Sequence, residues 1–196
     1  MLFALYHCCI HTINMFEKNR YTVVKNFIEK DHAKRLCTYL ENNALCKDEP
    51  NVTNTTNSTA VYGDPVFELL LLDSLEKLQN ITNKNLFPTY SYARTYTKDA
   101  VLLKHIDRES CEYSISLCLG KDNADWPLML QTHDTHEKRG ISLEIGDALI
   151  YKGMELLHWR EKYKGEKQVQ VFLHYVDRDG PFSAWIFDKR KGLRLT

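Results

Sequence analysis

The sequence predicts a mainly β domain with flanking helices (α+β): a double-stranded β-helix, or jelly-roll, with N-terminal helices packed on one sheet. Two helical patterns come first, and from residue 89 onward the pattern changes to short strands separated by turns. The connections between these strands are too short for the helical crossovers that a parallel sheet needs. Antiparallel pairing in a jelly-roll is therefore favoured.

The N-terminal part is predicted to run strand, helix, loop, helix. A strand covers residues 21–27, and Asp31 is the predicted N-cap of a helix whose apolar stripe is Ala33, Leu36, Cys37 and Leu40. Residues 47–63 are polar and rich in turn formers, which predicts a surface loop in the position of a lid. Asp64-Pro65 then begins a second helix, with a predicted core stripe of Leu69, Leu72, Leu75 and Leu78.

The second part is predicted to contain the sheets. Strand-like patterns cover residues 89–96, 100–105, 111–119, 126–132, 141–145, 148–151, 168–176 and 182–187. We expect a single domain over residues 15–196, with its jelly-roll core at about 89–188. Met15 is a candidate alternative start, which would leave residues 1–14 as a leader.

Composition and charge exclude several classes of protein. The 196 residues carry 26 Lys and Arg against 26 Asp and Glu, so the whole chain has no excess of positive charge. A protein held to nucleic acid or to an anionic membrane mainly by phosphate contacts would carry such an excess. We therefore expect neither nucleic-acid nor membrane binding. The six Cys form no C-x-x-C pair, and residues 1–10 lack the basic start of a signal peptide, which predicts a cytoplasmic protein with reduced thiols.

The strongest chemical signal is His105-Ile-Asp107 at the end of a predicted strand. Side chains two residues apart leave the same face of a strand, so this imidazole and this carboxylate can bind one ion. His158, on a later strand, is the candidate third ligand. Two His and one carboxylate leave open positions on an octahedral Fe(II) ion. The H-x-D spacing alone is also typical of a strand-end His beside a turn Asp.

The order of the motifs adds to this signal. The chain from about residue 21 to residue 188 resembles the iron- and 2-oxoglutarate-dependent dioxygenases, in particular the prolyl 4-hydroxylase-like group and its small bacterial and phage-type members. The segments that carry the resemblance are residues 89–96, 103–108, 111–116, 146–151 and 158–160.

The resemblance implies an enzyme that hydroxylates a substrate C–H bond, with succinate and CO2 as co-products. His105, Asp107 and His158 are then the catalytic Fe(II) ligands, 2-oxoglutarate and O2 are co-substrates, and ascorbate is a further candidate. The substrate is a prolyl residue of a peptide or protein, or a small molecule. The sequence leaves the substrate and the oligomeric state open.

The distal carboxylate of 2-oxoglutarate needs a cation. In the family it usually comes from the strand after the distal His, and Lys167 is the candidate there. If that strand is shifted by one residue, Gln168 and Gln170 face inward, and Arg160 and Arg94 become the candidate cations. Tyr96 is the candidate co-substrate tyrosine, since Tyr90, Tyr92, Arg94 and Tyr96 alternate along one strand.

Three alternatives remain open from the sequence. A non-catalytic jelly-roll that binds a metal or ligand is one, and an oxygenase of a nucleobase or other small molecule is another. A rival metal site at His133-Asp-Thr-His136 is the third, although its polarity and the following Gly140 favour a loop between strands. His174 is expected to be a hydrogen-bonded core or pocket residue.

Overall fold

Two antiparallel sheets form the core of the protein. The computed structural model describes residues 15–43, 54–132 and 136–195, and within them it contains ten strands and two α-helices longer than two turns. The helices are α1 (Lys30–Asn42) and α2 (Pro65–Thr82). The strands are β1 (Tyr21–Val24), β2 (Ser58–Tyr62), β3 (Leu86–Thr97), β4 (Leu102–His105), β5 (Tyr113–Lys121), β6 (Leu128–Thr132), β7 (Lys138–Ile141), β8 (Ala148–Tyr151), β9 (Leu156–Arg160) and β10 (Lys167–Asp177).

The strand order shows the predicted jelly-roll. Six strands form one sheet in the order β1-β8-β5-β10-β3-β2, and four form the other in the order β4-β9-β6-β7. Consecutive strands alternate between the sheets several times, and every pairing is antiparallel. The fold-class prediction is confirmed. The leader predicted at residues 1–14 lies outside the described residues.

Both helices cover the outer face of the six-stranded sheet. Their buried apolar side chains pack with those of β5 and β10, and the set includes Ala33, Leu36, Leu40, Phe67, Leu71, Leu78, Ile115, Leu117, Val169 and Val171. A second apolar cluster lies between the sheets and includes Leu102, Leu128, Leu130, Leu149 and Leu156. The inner face of the six-stranded sheet thus combines part of this apolar cluster, such as Leu149, with the polar and aromatic side chains that line the cavity.

The helix predictions are right in position and wrong in two details. Asp64 caps α2 as predicted, since its Oδ1 accepts a hydrogen bond from the backbone N–H of Val66 at 2.9 Å. The α1 N-cap is Glu29, which makes no capping hydrogen bond with its side chain, and Asp31 lies in the first turn instead. On α2 the predicted stripe is wrong at Leu69 and Leu72, which are 48% and 37% exposed. The buried stripe lies at Phe67, Leu70, Leu71, Ser74 and Leu78.

Several strand predictions also need correction. The predicted loop at 47–63 contains β2, because residues 58–62 pair with β3, and residues 47–53 lie outside the described residues. The strand predicted at 141–145 is β7, which lies earlier. The strand predicted at 182–187 is a 3-10 helix, Ser183–Lys189, kinked at residues 186–188. No helix of the described residues is long and apolar enough to cross a membrane.

Candidate active site

Three ligand-type side chains meet inside the barrel, where β4 and β9 lie side by side. His105 ends β4 and is the direct cross-strand partner of His158 on β9. Asp107 follows β4 by two residues. One ligand atom from each of these side chains lies within 4.8 Å of the other two. The structure thus brings together the trio that the sequence selected.

Backbone carbonyl groups orient the two imidazoles. Nδ1 of His105 lies 2.8 Å from the oxygen of Leu103, and Nδ1 of His158 lies 2.9 Å from the oxygen of Leu156. A carbonyl oxygen only accepts hydrogen bonds, so each Nδ1 carries a proton. Each Nε2 then faces Asp107, whose Oδ1 is 3.6 Å from that of His105 and 3.5 Å from that of His158. Such outer hydrogen bonds are typical of metal-binding histidines.

Two other segments of the chain hold Asp107 in place, one at Gly153 and one at Ser114. Its backbone N–H donates to the carbonyl oxygen of Gly153 at 3.0 Å. A Cβ atom at position 153 would overlap the Asp107 carboxylate, so only glycine fits there. The hydroxyl of Ser114 donates to Oδ2 of Asp107 at 3.4 Å. The carboxylate therefore has a fixed direction into the barrel.

Asp107 and His158 stabilise each other's charge. Burial alone would raise the pKa of the Asp107 carboxyl, but His158, followed by His174 and His105, holds that pKa below its ordinary value. Burial alone would lower the pKa of His158, but the Asp107 carboxylate raises it. Burial and the neighbouring His158 lower the pKa of His105.

The trio lies in a cavity of about 480 Å³ with aromatic walls. Rings from both sheets line it: Tyr62, Tyr90, Tyr92, Tyr96, Tyr151, His158 and Phe172. The rings of Tyr62 and Tyr90 lie 5.0 Å apart, and those of Tyr90 and His174 lie 4.5 Å apart. Ile106 lies at this cavity and is 52% exposed. The cavity therefore opens to solvent beside the trio.

The predicted alternation along β3 is confirmed by the register. Tyr90, Tyr92, Arg94 and Tyr96 all line the cavity. Arg94 is 5% exposed, and its guanidinium donates to Ser58 Oγ at 3.0 Å and to the Tyr92 hydroxyl at 2.7 Å. Both partners are neutral. Among the described residues, no carboxylate forms an ion pair with Arg94.

Arg160 lies two residues beyond His158, on the same face of β9, behind the residues that line the cavity rather than among them. It is 2% exposed, its guanidinium stacks on Trp126, and Nη1 donates to the Trp126 carbonyl oxygen. Its Nε makes no hydrogen bond, and neither does the buried side-chain amide nitrogen of Gln170. Across the described part of the chain, Arg160 forms no ion pair with a carboxylate. Burial lowers the pKa of this guanidinium, and a buried cation without a counter-ion is costly.

Lys167 does not lie at this cavity, and its prediction as the co-substrate cation is corrected. Lys167 opposes Thr97 at the start of β10, and its Nζ lies 2.6 Å from Oε1 of Glu41 on α1. Gln168 opposes Tyr96, and Gln170 opposes Arg94, so the even-numbered residues face inward. The one-residue shift that the sequence left open is the register that occurs. The spacing from His158 could not decide it, because a slip of one residue exchanges the two faces of a strand.

Some residues of the site had no clear signal in the sequence. Arg108 follows Asp107, lies at the cavity and is bound by Asp188, which is 80 residues away along the chain. Cys111 is 3% exposed at the same cavity, and burial raises the pKa of its thiol to about 12. Tyr62 reaches the cavity from β2, inside the predicted loop. Arg108 and Cys111 lie within four residues of Asp107 in the sequence, and this proximity is the signal that could have found them.

The fold is shared with solved structures of oxygenases. A prolyl-4-hydroxylase from Pseudomonas putida has a TM-score of 0.69 and 13% identity, over 87% of this chain and 99% of that one. HygX from Streptomyces hygroscopicus, with nickel and 2-oxoglutarate bound, has a TM-score of 0.70 and 14% identity, over 86% and 87%. A viral collagen prolyl hydroxylase from Paramecium bursaria Chlorella virus 1 has a TM-score of 0.58 and 12% identity, over 80% and 95%.

These similarities define the class of fold. No family model and no curated protein matches the sequence. At 12–14% identity the likeness concerns the fold, which is the jelly-roll of the 2-oxoglutarate- and Fe(II)-dependent oxygenases of the prolyl-4-hydroxylase kind. The fold resemblance inferred from the sequence motifs is therefore confirmed.

Proposed function

We propose that this protein is an Fe(II)- and 2-oxoglutarate-dependent dioxygenase that hydroxylates a substrate C–H bond. The observation that supports it is the convergence of His105, Asp107 and His158, whose ligand atoms lie within 4.8 Å of one another at an open cavity. Two His and one carboxylate form the ligand set of non-haem Fe(II) oxygenases. Bound iron, with 2-oxoglutarate and O2, would supply the oxidising chemistry and yield succinate and CO2.

The residues present fit such a metal in protonation and orientation. The carbonyl groups of Leu103 and Leu156 keep the protons of His105 and His158 on Nδ1, which leaves both Nε2 atoms for an ion. Ser114 and the backbone of Gly153 fix Asp107. Because these partners are in place before an ion binds, the three ligands need little rearrangement.

For the distal carboxylate of 2-oxoglutarate we propose Arg160, with Tyr96 beside it and Arg94 as the second cation. Arg160 is fully buried, has an unpaired Nε and no ion-pair partner among the residues described. It stands two residues from His158 on one strand face, a separation of roughly 7 Å. An extended five-carbon dicarboxylate with one end at the metal spans this separation. An anion there would give the buried guanidinium the partner it lacks.

For the substrate we propose a ring-sized group, with a prolyl residue of a peptide as first candidate. Aromatic walls bind proline-rich segments in several recognition modules. Ile106 lines the cavity, is 52% exposed and offers an apolar contact for a peptide at its opening. The second candidate is a small molecule. It is favoured by HygX, a protein of the same fold that has been solved with hygromycin B bound.

The experiment that tests the metal and co-substrate assignments is calorimetry of the full chain with Mn(II), followed by 2-oxoglutarate. We expect one Mn(II) per chain, and 2-oxoglutarate binding that requires Mn(II). His105→Ala and His158→Ala should each lose Mn(II) binding. His136→Ala, an exposed histidine of the rival sequence motif, is the matched control and should bind as the wild type does. Unchanged Mn(II) binding in both site variants would contradict the proposal.

A further inference from the structure

A second group of ligand-type side chains lies beside the first and shares one member with it. Asp107, Cys111 and His174 each offer a ligand atom, and the three atoms lie within 4.8 Å of one another. Cys111 ends the short 3-10 helix that follows Asp107, and His174 lies on the inner face of β10. Cys111 and His174 are 3% and 5% exposed. The group is thus a half-buried carboxylate beside a buried thiol and a buried imidazole at the wall of the cavity.

Ser114 orients His174 for this position. Its hydroxyl lies 2.9 Å from Nδ1 of His174 and donates to Asp107 Oδ2 at 3.4 Å. The hydroxyl has one proton, and the Cys111 carbonyl oxygen at 3.3 Å is a second acceptor for it. In the His174 tautomer that suits a metal, Nδ1–H donates to Ser114 Oγ and the hydroxyl proton goes to one of these two acceptors. The other imidazole nitrogen, Nε2, then carries the lone pair. This is the protonation state of a histidine that binds a metal through Nε2.

Tyr90 completes the surroundings of Cys111. Its hydroxyl lies 3.0 Å from the Cys111 sulfur, and its ring lies 4.5 Å from that of His174, tilted by 36°. A phenol can donate a hydrogen bond to a thiolate, which stabilises the sulfur in the form that binds metals. The carboxylate, thiol and imidazole therefore stand in a pocket that also contains a hydrogen-bond donor for the sulfur.

We propose that Asp107, Cys111 and His174 form a second metal site that selects thiophilic divalent ions such as Zn(II) and Co(II). Zn–S and Zn–N bonds of about 2.3 and 2.0 Å place neighbouring ligand atoms less than about 4 Å apart. The present separations, which are within 4.8 Å, must shorten when an ion binds. The Cys111 thiol loses its proton to solvent as the metal–sulfur bond forms, with no oxidation or reduction. Thiolate sulfur favours zinc over iron, whereas the His105, Asp107, His158 group has no sulfur.

Both groups use Asp107, so they cannot be filled independently. An ion bound to Cys111 and His174 draws on the same carboxylate whose Oδ1 faces His105 and His158, and its positive charge disfavours a second ion there. If the proposed oxygenase function holds, on which this consequence rests, zinc would inhibit turnover by this route. Binding at the second site itself does not depend on the oxygenase chemistry.

The test is a Co(II) titration of the metal-free full chain, followed by absorption in the near ultraviolet, where cobalt–thiolate charge transfer appears. We expect this band in the wild type, its loss in Cys111→Ser, and its weakening in His174→Asn. Cys118→Ser is the matched control, since Cys118 is also fully buried in the barrel but lies outside the group. His158→Ala should strengthen the band at limiting Co(II), because the rival site is lost.

The outcomes separate the two proposals. The second site is overturned if the wild type shows no band, or if Cys111→Ser shows a band of equal intensity. An equal band would mean that another cysteine, such as Cys8, Cys9 or Cys46, supplies the sulfur. Circular dichroism of Cys111→Ser and Cys111→Ala establishes that the fold is retained, and loss of the band in both folded variants supports the site. A clear band in a chain that never consumes 2-oxoglutarate would leave this site standing and contradict the oxygenase function.

Discussion

Asp188 binds the guanidinium of Arg108, the residue that follows Asp107, through two hydrogen bonds. Nη1 and Nη2 of Arg108 donate to Oδ1 and Oδ2 at 2.8 and 2.9 Å, and the Tyr62 hydroxyl also donates to Oδ2, at 2.6 Å. Phe187, Asp188 and Lys189 all have positive φ angles, between 52° and 60°. Such conformations are unfavourable for residues other than glycine and persist where surrounding contacts hold them. The C-terminal segment thus holds two residues of the cavity wall, Tyr62 and Arg108, in place.

Replacing this carboxylate tests the contact. Asp188→Asn should lower the free energy of unfolding by about 1–2 kcal/mol, because it weakens charge-assisted hydrogen bonds of which the arginine side is partly solvated. Urea denaturation measures the change. Asp179→Asn, an exposed aspartate of the same segment, should change it by less than about 0.5 kcal/mol. Equal effects of the two substitutions would show that the contact contributes nothing specific.

The buried Glu68 of α2 should be the strongest anchor of the C-terminal segment. It is 0% exposed, and its carboxylate accepts hydrogen bonds from Arg190 Nη2 at 2.9 Å and from the backbone N–H of Arg194 at 2.7 Å. Glu68→Gln leaves the Arg190 cation without its counter-ion and should cost about 3 kcal/mol in unfolding free energy. Glu76→Gln, exposed on the same helix, is the control. A Glu68→Gln protein as stable as this control would refute the prediction.

The choice of co-substrate cation can be measured as an affinity. Arg160→Gln should raise the Kd of 2-oxoglutarate, in the presence of Mn(II), by at least about tenfold, because a charged pair in a buried site is lost. Arg94→Gln should have a smaller effect, since Ser58 and Tyr92 already satisfy that guanidinium. Lys167→Ala should leave the Kd unchanged. The assignment fails if Lys167→Ala weakens binding more than Arg160→Gln does.

Asp122 should make the free energy of unfolding decrease as the pH falls in the acidic range. Burial alone would raise its pKa, but hydrogen bonds from the backbone N–H groups of Glu166 and Ala124, and from the Tyr163 hydroxyl, lower it to about 2. The folded pKa lies below the ordinary 3.8, so this contribution is fully present above about pH 4 and is lost as the pH falls through about 2. The difference in free energy of unfolding between the wild type and Asp122→Asn should therefore decrease from pH 5 to pH 2.5.

Urea denaturation across this range provides the measurement. Asp125→Asn, an exposed aspartate in the same loop, should show a gap that is small and independent of pH. A gap for Asp122→Asn that stays constant between pH 5 and pH 2.5 would mean that Asp122 does not titrate with a lowered pKa.

The sequence predicted the features that depend on local chemistry. Asp64 followed by proline marked the start of α2, and the alternation along residues 90–96 marked the inner face of β3. The spacing of His105 and Asp107 identified a pair that can share one ion, and a third ligand was sought on another strand. Each of these depends on a short-range geometric rule that tertiary contacts did not override.

The features that sequence missed depend on partners far along the chain. Leu69 and Leu72 have a helical spacing, but which face of α2 is buried depends on where the sheet lies. The sequence of β2 resembles a polar loop. It is a strand because it lies at the edge of the sheet and pairs with β3. The inward residues of β10 follow from its register with β3 and β5, and a count from His158 does not include that register.

The measurement that tests the oxygenase function most directly is succinate formation from 2-oxoglutarate by the full chain with Fe(II) and O2. Slow turnover without the true substrate suffices, so its identity is not needed. We expect iron-dependent succinate in the wild type and in His136→Ala, and none above background in Asp107→Ala or His158→Ala, with the fold retained by circular dichroism. Equal succinate formation by wild type and folded Asp107→Ala, or none by a wild type that binds both Fe(II) and 2-oxoglutarate, would contradict it.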